Sequence, residues 1–224
     1  MKTLAIGDIH GCLDMLCGLL DFVNLAPNDR LVFLGDYVDR GPDSRRLLDW
    51  LIDQGGRREI ITLRGNHEIL MMQSRINPML CLNWLAVGGA ATLASYGWDG
   101  SSDWQELIPN AHWNFLAATR PWMETDNAIF VHATAEPHLT MEEHDDAQLY
   151  WNKCRQLPPH HSGKRVIVGH TRQTSGQPRC FEGGVCIDTA AVSGHWLTCL
   201  DADTGDYWQI NPAGQTRHRQ LAFW

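Results

Sequence analysis

Leu31-Val32-Phe33-Leu34-Gly35-Asp36-Tyr37-Val38-Asp39-Arg40-Gly41 is the stretch that decides the fold. Four apolar residues in a row read as a short strand buried on both faces, and the chain then turns at a glycine into a polar cluster. The same grammar occurs upstream, where Thr3 to Ile6 runs into Gly7-Asp8-Ile9-His10-Gly11. It occurs again downstream, where Ile60 to Leu63 runs into Arg64-Gly65-Asn66-His67-Glu68. Twenty-three residues separate Gly11 from Gly35, and twenty-three separate Gly41 from Gly65. Each interval holds one helix and one strand. Leu13 to Val23 carries Leu13, Leu16, Leu20 and Val23 at helical spacing. Ser44 to Ile52 is amphipathic, with Asp43 as the expected N-cap after Pro42. Strands joined by helices predict a parallel arrangement, with all three polar clusters at the carboxyl ends, where open α/β sheets bind ligands.

Beyond this unit, residues from about 68 to 120 read mostly helical, with turns at Asn77-Pro78, Gly88-Gly89 and Trp98-Asp99-Gly100. The apolar run Met79 to Ala94 is interrupted by Asn83 and the glycine pair, which makes it a poor membrane span. It reads as a buried helical region. The remainder is β-rich, with strand candidates at Ala128–His132, Arg165–Gly169, Val185–Asp188, Trp196–Leu200 and Tyr207–Ile210. Asp203-Thr204-Gly205-Asp206 reads as a hairpin turn between the last two. The expected fold class is mixed α/β: two packed β-sheets flanked by helices, in a single domain over residues 1–224.

Composition narrows the function. With 44% apolar and 20% charged residues the chain is a globular protein, and a net charge of −8 argues against binding nucleic acid through its phosphates. A small phosphorylated substrate stays open, because a metal ion reverses the local field. Seven irregularly spaced cysteines without a C-x-x-C, and an N-terminal apolar run that stops at Asp8, fit reduced thiols in the cytoplasm. No membrane partner is expected, and a monomer is favoured. Cys12 reads as a small buried residue beside the first cluster. Trp84, Trp98, Trp104, Trp113 and Trp122 crowd the helical middle and are expected mostly to fill core. His160-His161 and Arg217-His218-Arg219 read as solvated.

The clusters hold carboxylates, imidazoles and one side-chain amide, a donor set that suits Mn²⁺, Fe or Zn²⁺. His132 follows the apolar Ile129-Phe130-Val131, and His170 follows Val166-Ile167-Val168-Gly169, so both can reach the same rim. Two ions about 3.5–4 Å apart can clamp an in-line phosphoryl displacement. On the residues alone, His67 can be a third metal ligand or a general acid. Asn66 and His67 are neighbours that point different ways, which favours one ligand and one acid.

Gly-Asp-Ile-His-Gly (7–11), Gly-Asp-Tyr-Val-Asp-Arg-Gly (35–41), Gly-Asn-His-Glu (65–68), Val-His-Ala (131–133) and Gly-His-Thr (169–171) resemble, in order, the motifs of the calcineurin-like metallophosphoesterases. Within them the likeness is to the phosphoprotein phosphatase group, above all the small bacterial and phage lambda-type serine/threonine phosphatases. It extends to Trp84–Gly89, Trp151-Asn152 and Ile187-Asp188-Thr189. The resemblance implies two divalent ions, with Mn²⁺ expected. Asp8, His10 and Asp36 would hold one, and Asp36, Asn66, His132 and His170 the other, with Asp36 bridging. A hydroxide between the metals would attack phosphorus. His67 would act as general acid, held protonated by Asp39. Arg40 and Arg64 would fork onto phosphate oxygens. Lys153 stands where the phage-type pattern has Arg, and a lysine cannot fork. Thr134 and Ala190 stand where Gly is usual, which reshapes the rim without removing a ligand. The substrate implied is a phosphoserine or phosphothreonine protein or peptide. The alternative is symmetrical hydrolysis of dinucleoside tetraphosphates, a group that usually reads Gly-Asn-His-Asp where this chain has Glu68. A third reading, an inactive phosphate-binding module, would need a missing ligand or acid.

Overall fold

The computed structural model describes residues 1–100, 103–222 and 224. The opening unit has the expected grammar: β1 (Thr3–Ile6), α1 (Leu13–Val23), β2 (Arg30–Phe33), α2 (Ser44–Gly55), β3 (Ile60–Thr62) and α3 (Asn66–Ile76). The three strands pair in parallel in the order β1-β2-β3. Asp43 occupies the N-cap of α2 without capping it through its side chain. Its backbone N–H is tied to the Gly11 carbonyl, and its carboxylate accepts from Arg46 instead.

The middle comprises α4 (Pro78–Trp84), a π-helical turn over Leu85–Gly89, α5 (Ala90–Ser95), α6 (Trp104–Leu107) and α7 (Asn110–Ala118). Gly88, at φ 134°, kinks the run. Met79 to Ala94 is not the buried region the sequence suggested. Trp84, Gly89, Thr92 and Leu93 face inward, whereas Met79, Leu82 and Val87 are exposed. One helix face suffices to build the wall beneath it, so the opposite face stays in solvent. The tryptophans follow suit: Trp84 and Trp113 are buried, while Trp98, Trp104 and Trp122 are half-buried.

The second half adds β4 (Trp122–Glu124), β5 (Ala128–Val131), β6 (Arg165–Val168), β7 (Arg179–Phe181), β8 (Gly184–Cys186), β9 (Leu197–Asp201), β10 (Asp206–Ile210) and β11 (Thr216–Gln220). One sheet has the order β11-β10-β9-β1-β2-β3, the other β4-β5-β6-β8-β7. β4, β7 and β11 carry no apolar run, and all three are edge strands. The tail Arg217-His218-Arg219 therefore lies in a strand: its His218 ring stacks on Trp208, and Arg217 lies 3.9 Å over Trp196. His160 is buried rather than solvated, because its ring nitrogens pair with Ser162 Oγ and the Leu139 carbonyl.

Alternation along the strands builds the layers. Ala5, Val32, Phe130 and Ile167 meet between the sheets, with Leu34, Leu63, Val185 and Leu200. Leu4, Ile6, Leu31 and Phe33 point the other way, into the core under the helices. Ile129, Val131, Val166 and Val168 pack on the outer face of the second sheet. This architecture is the mixed α/β, two-sheet fold expected from the sequence.

Candidate metal centre

The loops that leave β1, β2, β3, β5, β6 and β8 converge at one edge of the two sheets. Their backbone is unusual there. Among the described residues, His10, Asp36, Asp39, Arg40, His170 and Ala190 have positive φ, with Asn24 the one non-glycine residue elsewhere. Left-handed conformations cost side-chain-bearing residues about 1–2 kcal/mol each, and strain of this kind concentrates at functional sites. Close approach adds to it. A Cβ on Gly65 would lie 2.7 Å from Glu68 Oε2 and would also strike Asp36.

Glu68 holds the second cluster in shape. Its buried carboxylate accepts hydrogen bonds from the backbone N–H groups of Asp36, Tyr37, Val38 and Gly65. Burial, and secondarily the nearby Asp36, push it up to about 7. The first turn of α3 then presents Asn66 and His67, and the His67 N–H donates to Asp36 Oδ1 at 3.1 Å.

Asp36 sits at the centre of the site. Side-chain donor atoms of His10, Asp36 and His67 lie within 4.8 Å of one another, as do those of Asp36, His132 and His170. Asn66 Oδ1 is 3.2 Å from His132 Nε2. Asp8 stands beside these groups, with both carboxylate oxygens accepting the His170 N–H. Three imidazoles are pinned by one ring nitrogen to a backbone carbonyl: His10 Nδ1 to Val38, His132 Nδ1 to Leu34, and His170 Nε2 to Trp151. That bond fixes the tautomer and leaves the other nitrogen's lone pair for the centre, the arrangement metal-ligating histidines show.

The electrostatics separate four histidines into two kinds. Burial drives His10 and His170 down to about 3 and lowers His132, so all three are neutral and able to ligate. Burial opposes ionisation of Asp36, yet His132, His67, His10 and His170 outweigh it and hold the carboxyl well below its usual range. His67 goes the other way. Burial would lower it, but Asp36 and the hydrogen bond it donates to Asp39 raise it above its ordinary value. Its Nδ1 is 2.6 Å from Asp39 Oδ2. Asp39 is fully buried, and it also accepts from Trp84 Nε1 and Thr92 Oγ1.

Asp8, His10, Asp36, Asn66, His132, His170, His67 and Asp39 thus come together as one buried group. The basic residues are placed differently. Arg40 Nη1 donates to His10 Nε2 at 2.6 Å, so its guanidinium lies over the site. Arg64 commits Nε and Nη2 to Thr119 and Ala117 at the end of α7, so a forked grip on phosphate would require those bonds to open. Lys153 Nζ donates to the His170 carbonyl at the rim. Cys12 is half-buried, and burial pushes its thiol up to about 11, which fits an inert side chain. Trp84 and Thr92 were not foreseen as parts of the site. They lie 45 and 53 residues from the carboxylate they serve, and no local pattern marks them.

The chain is similar to known proteins over most of its length. A serine/threonine-protein phosphatase 1 of Salmonella typhimurium is 40% identical over 210 residues, covering 86% of this chain and 88% of the relative. A symmetrical bis(5'-nucleosyl)-tetraphosphatase of Nitrosomonas europaea is 42% identical over 225 residues, covering 98% of this chain and 68% of the relative. Several further curated relatives are matched over less than a third of their own length. Among solved structures, a cold-active protein-tyrosine phosphatase of a Shewanella species superposes with a TM-score of 0.64 at 15% identity, over 98% of this chain and 80% of that one, which shows the shared fold. Residues 1–199 match the family model described as calcineurin-like phosphoesterase. With two sheets meeting at a rim of buried carboxylates and imidazoles, the chain belongs to the calcineurin-like phosphoesterases, a family of dinuclear metal-dependent hydrolases.

Proposed function

We propose that this hydrolase removes phosphate from phosphoserine and phosphothreonine of proteins or peptides. One observation carries the reading: His67 Nδ1 lies 2.6 Å from the buried Asp39 carboxylate, and Asp36 and Asp39 raise His67 against its burial, whereas burial lowers the three other histidines of the site. Opposed shifts of this kind separate acid from ligand roles. A protonated imidazole matters most when the departing oxygen is a poor leaving group. A seryl or threonyl alkoxide must be protonated to depart. A nucleoside diphosphate, the leaving group of symmetrical tetraphosphate cleavage, is a stable anion that needs far less help.

The donor set fits two divalent ions. Asp8, His10 and Asp36 would hold one, and Asp36, Asn66, His132 and His170 the other. Asp36 is common to the two donor groups, His10–Asp36–His67 and Asp36–His132–His170, and this assignment takes Asp8 in place of His67, which is kept for the acid. Mn²⁺ is the proposed metal, from the family likeness and from a donor set of carboxylate, amide and imidazole groups that suits it. The bound pair would supply a nucleophile at neutral pH and neutralise phosphoryl charge. Arg40 would orient phosphate oxygens from above His10, and Lys153 would add a point charge at the rim. Beside Lys153, a cleft of about 430 Å³ is lined by Thr134, Glu136, Trp151, Asn152 and Arg155, and we assign it to the substrate polypeptide. The proposed setting is a cytoplasmic monomer.

The length covered is consistent with this reading, since the match spans 88% of the Salmonella phosphatase and 68% of the Nitrosomonas hydrolase. Identity is equal within two percentage points, so the dinucleoside tetraphosphate reading stands as the alternative. Turnover with Mn²⁺ on a phosphoserine/phosphothreonine peptide, a phosphotyrosine peptide and diadenosine tetraphosphate decides between them. Phosphate release from the first with the dinucleotide intact is expected. Efficient cleavage of the dinucleotide to two diphosphates, with idle peptides, would overturn the proposal and leave the metal site standing. His67→Asn is expected to lower turnover of the phosphoserine peptide by roughly 10²–10⁴-fold and that of p-nitrophenyl phosphate far less. Equal loss on both would remove His67 from the acid role.

A further inference from the structure

Among the described residues, three fully buried side-chain polar atoms have no hydrogen-bond partner: Arg58 Nη1, Asp188 Oδ2 and Asp201 Oδ2. Asp201 has the Lys2 ammonium 3.5 Å from that oxygen, and Arg58 lines a cleft with α1 and α2, outside the convergent loops of the metal centre. Among the described residues no cation lies within ion-pair distance of Asp188, and Arg172 and Arg40 lower it only as lesser influences than its burial. It is 3% exposed, and Oδ1 is used by the Ala190 N–H at 3.0 Å. A buried carboxylate oxygen left without a donor costs stability, so its retention calls for a reason.

The backbone places Asp188 in the centre. It leaves β8 immediately after Ile187, whose N–H bonds the Val168 carbonyl, so it emerges beside the β6 exit that carries His170. On the other side it packs on the β1 exit. A Cβ on Gly7, the residue before Asp8, would lie 2.6 Å from the Ile187 carbonyl oxygen and 3.6 Å from the Asp188 nitrogen. Asp8 is therefore flanked by the Asp188 strand exit and by the His170 turn. The charges agree with this placement. After burial, Asp188 is the largest influence raising Asp8, and Asp36 in turn raises Asp188.

We propose that Asp188 is a positioning residue of the metal centre, a further buried carboxylate whose free oxygen strengthens the hold on the cation at Asp8. This rests on the metal reading of the site. Three carboxylates, Asp8, Asp36 and Asp188, then share one buried space, where a cation relieves a repulsion that the metal-free protein must bear.

The test is Mn²⁺ titration of the chelator-stripped full-length chain by calorimetry, in the wild type and in Asp188→Asn. The substitution removes the charge and keeps an acceptor for the Ala190 N–H. One of two Mn²⁺ dissociation constants is expected to rise about tenfold or more, the usual size of an outer-shell loss, while the other stays put. Where Asp188→Asn does not fold, Asp188→Ser carries the same readout, since its hydroxyl also accepts. Two unchanged dissociation constants in a folded variant would overturn the proposal. A wild-type chain that takes up no Mn²⁺, Fe²⁺ or Zn²⁺ would overturn the metal reading itself.

Discussion

Asp39 reaches no solvent, and burial raises its carboxyl even though His67, Trp84 and Thr92 all donate to it and oppose that rise. Its charge, together with that of Asp36, keeps the proton on His67. The consequence for activity has a definite sign. In the acid role proposed for His67, turnover is expected to fall on the alkaline side as His67 loses its proton. Removing one of the two charges that raise His67 must move that fall to lower pH, toward the ordinary histidine value of about 6.5. Asp39→Asn is therefore expected to shift the alkaline limb of the pH–rate profile downward, with the acid limb little changed. An alkaline limb that does not move would detach it from His67. Trp84→Phe acts at the same carboxylate, by deleting an N–H donor. A lost donor to a buried charged group costs about 1.5–3 kcal/mol, which chemical unfolding of the variant would register.

At the scale of an element, the informative one is the kinked run from α4 to α5. The π-helical turn exposes Val87 and turns Trp84 and Thr92 inward onto Asp39, so one face of one helix pair builds the wall behind the acid. π-helical turns recur at functional sites because they redirect side chains within a helix. Gly88 is the hinge. At φ 134° its Cβ would lie 2.7 Å from Arg40 Cγ and 2.8 Å from the Arg40 nitrogen, and its carbonyl accepts the Arg40 N–H. Gly88→Ala must displace Arg40 and Asp39 together. It is expected to lower kcat/KM by roughly tenfold to hundredfold, since displacements of about 1 Å have that effect, and to cost about 1–3 kcal/mol in stability. Wild-type kinetics in this variant would show that the turn does not position the pair.

For the molecule as a whole, the site is where two sheets meet, and it concentrates buried carboxylates there. Asp8, Asp36, Asp188 and Glu68 are buried in the same region, and burial raises Asp8, Asp188 and Glu68. A divalent ion held by the folded arrangement more tightly than by the unfolded chain would stabilise it. Its stabilisation grows with concentration, to about 2.7 kcal/mol per site at a hundred times Kd. The unfolding temperature is expected to rise with added Mn²⁺, to fall on chelation, and to recover on re-addition. A melting curve indifferent to both treatments would count against metal binding between the sheets.

The two-sheet frame was legible because it depends on local patterns. Apolar runs such as Leu31–Leu34 and Ala128–Val131 are buried on both faces, and their alternate side chains sort into separate layers by the period of the strand alone. The convergence of the residues proposed to hold metal was legible for a related reason. Asp8, His10, Asp36, Asn66 and His67 sit just past the carboxyl ends of adjacent parallel strands, so connectivity alone delivers them to one rim. The edge strands β4, β7 and β11 escaped because pairing with a neighbour, not burial, makes them strands. The exposure of Met79, Leu82 and Val87 escaped because hydropathy does not say which helix face finds a partner. Tertiary structure alone decided that His67 is raised where His10, His132 and His170 are lowered. The same imidazole is pushed up or down by the groups that packing brings beside it, and Trp84, Thr92 and Asp188 reach the centre from chain positions that nothing local connects to it.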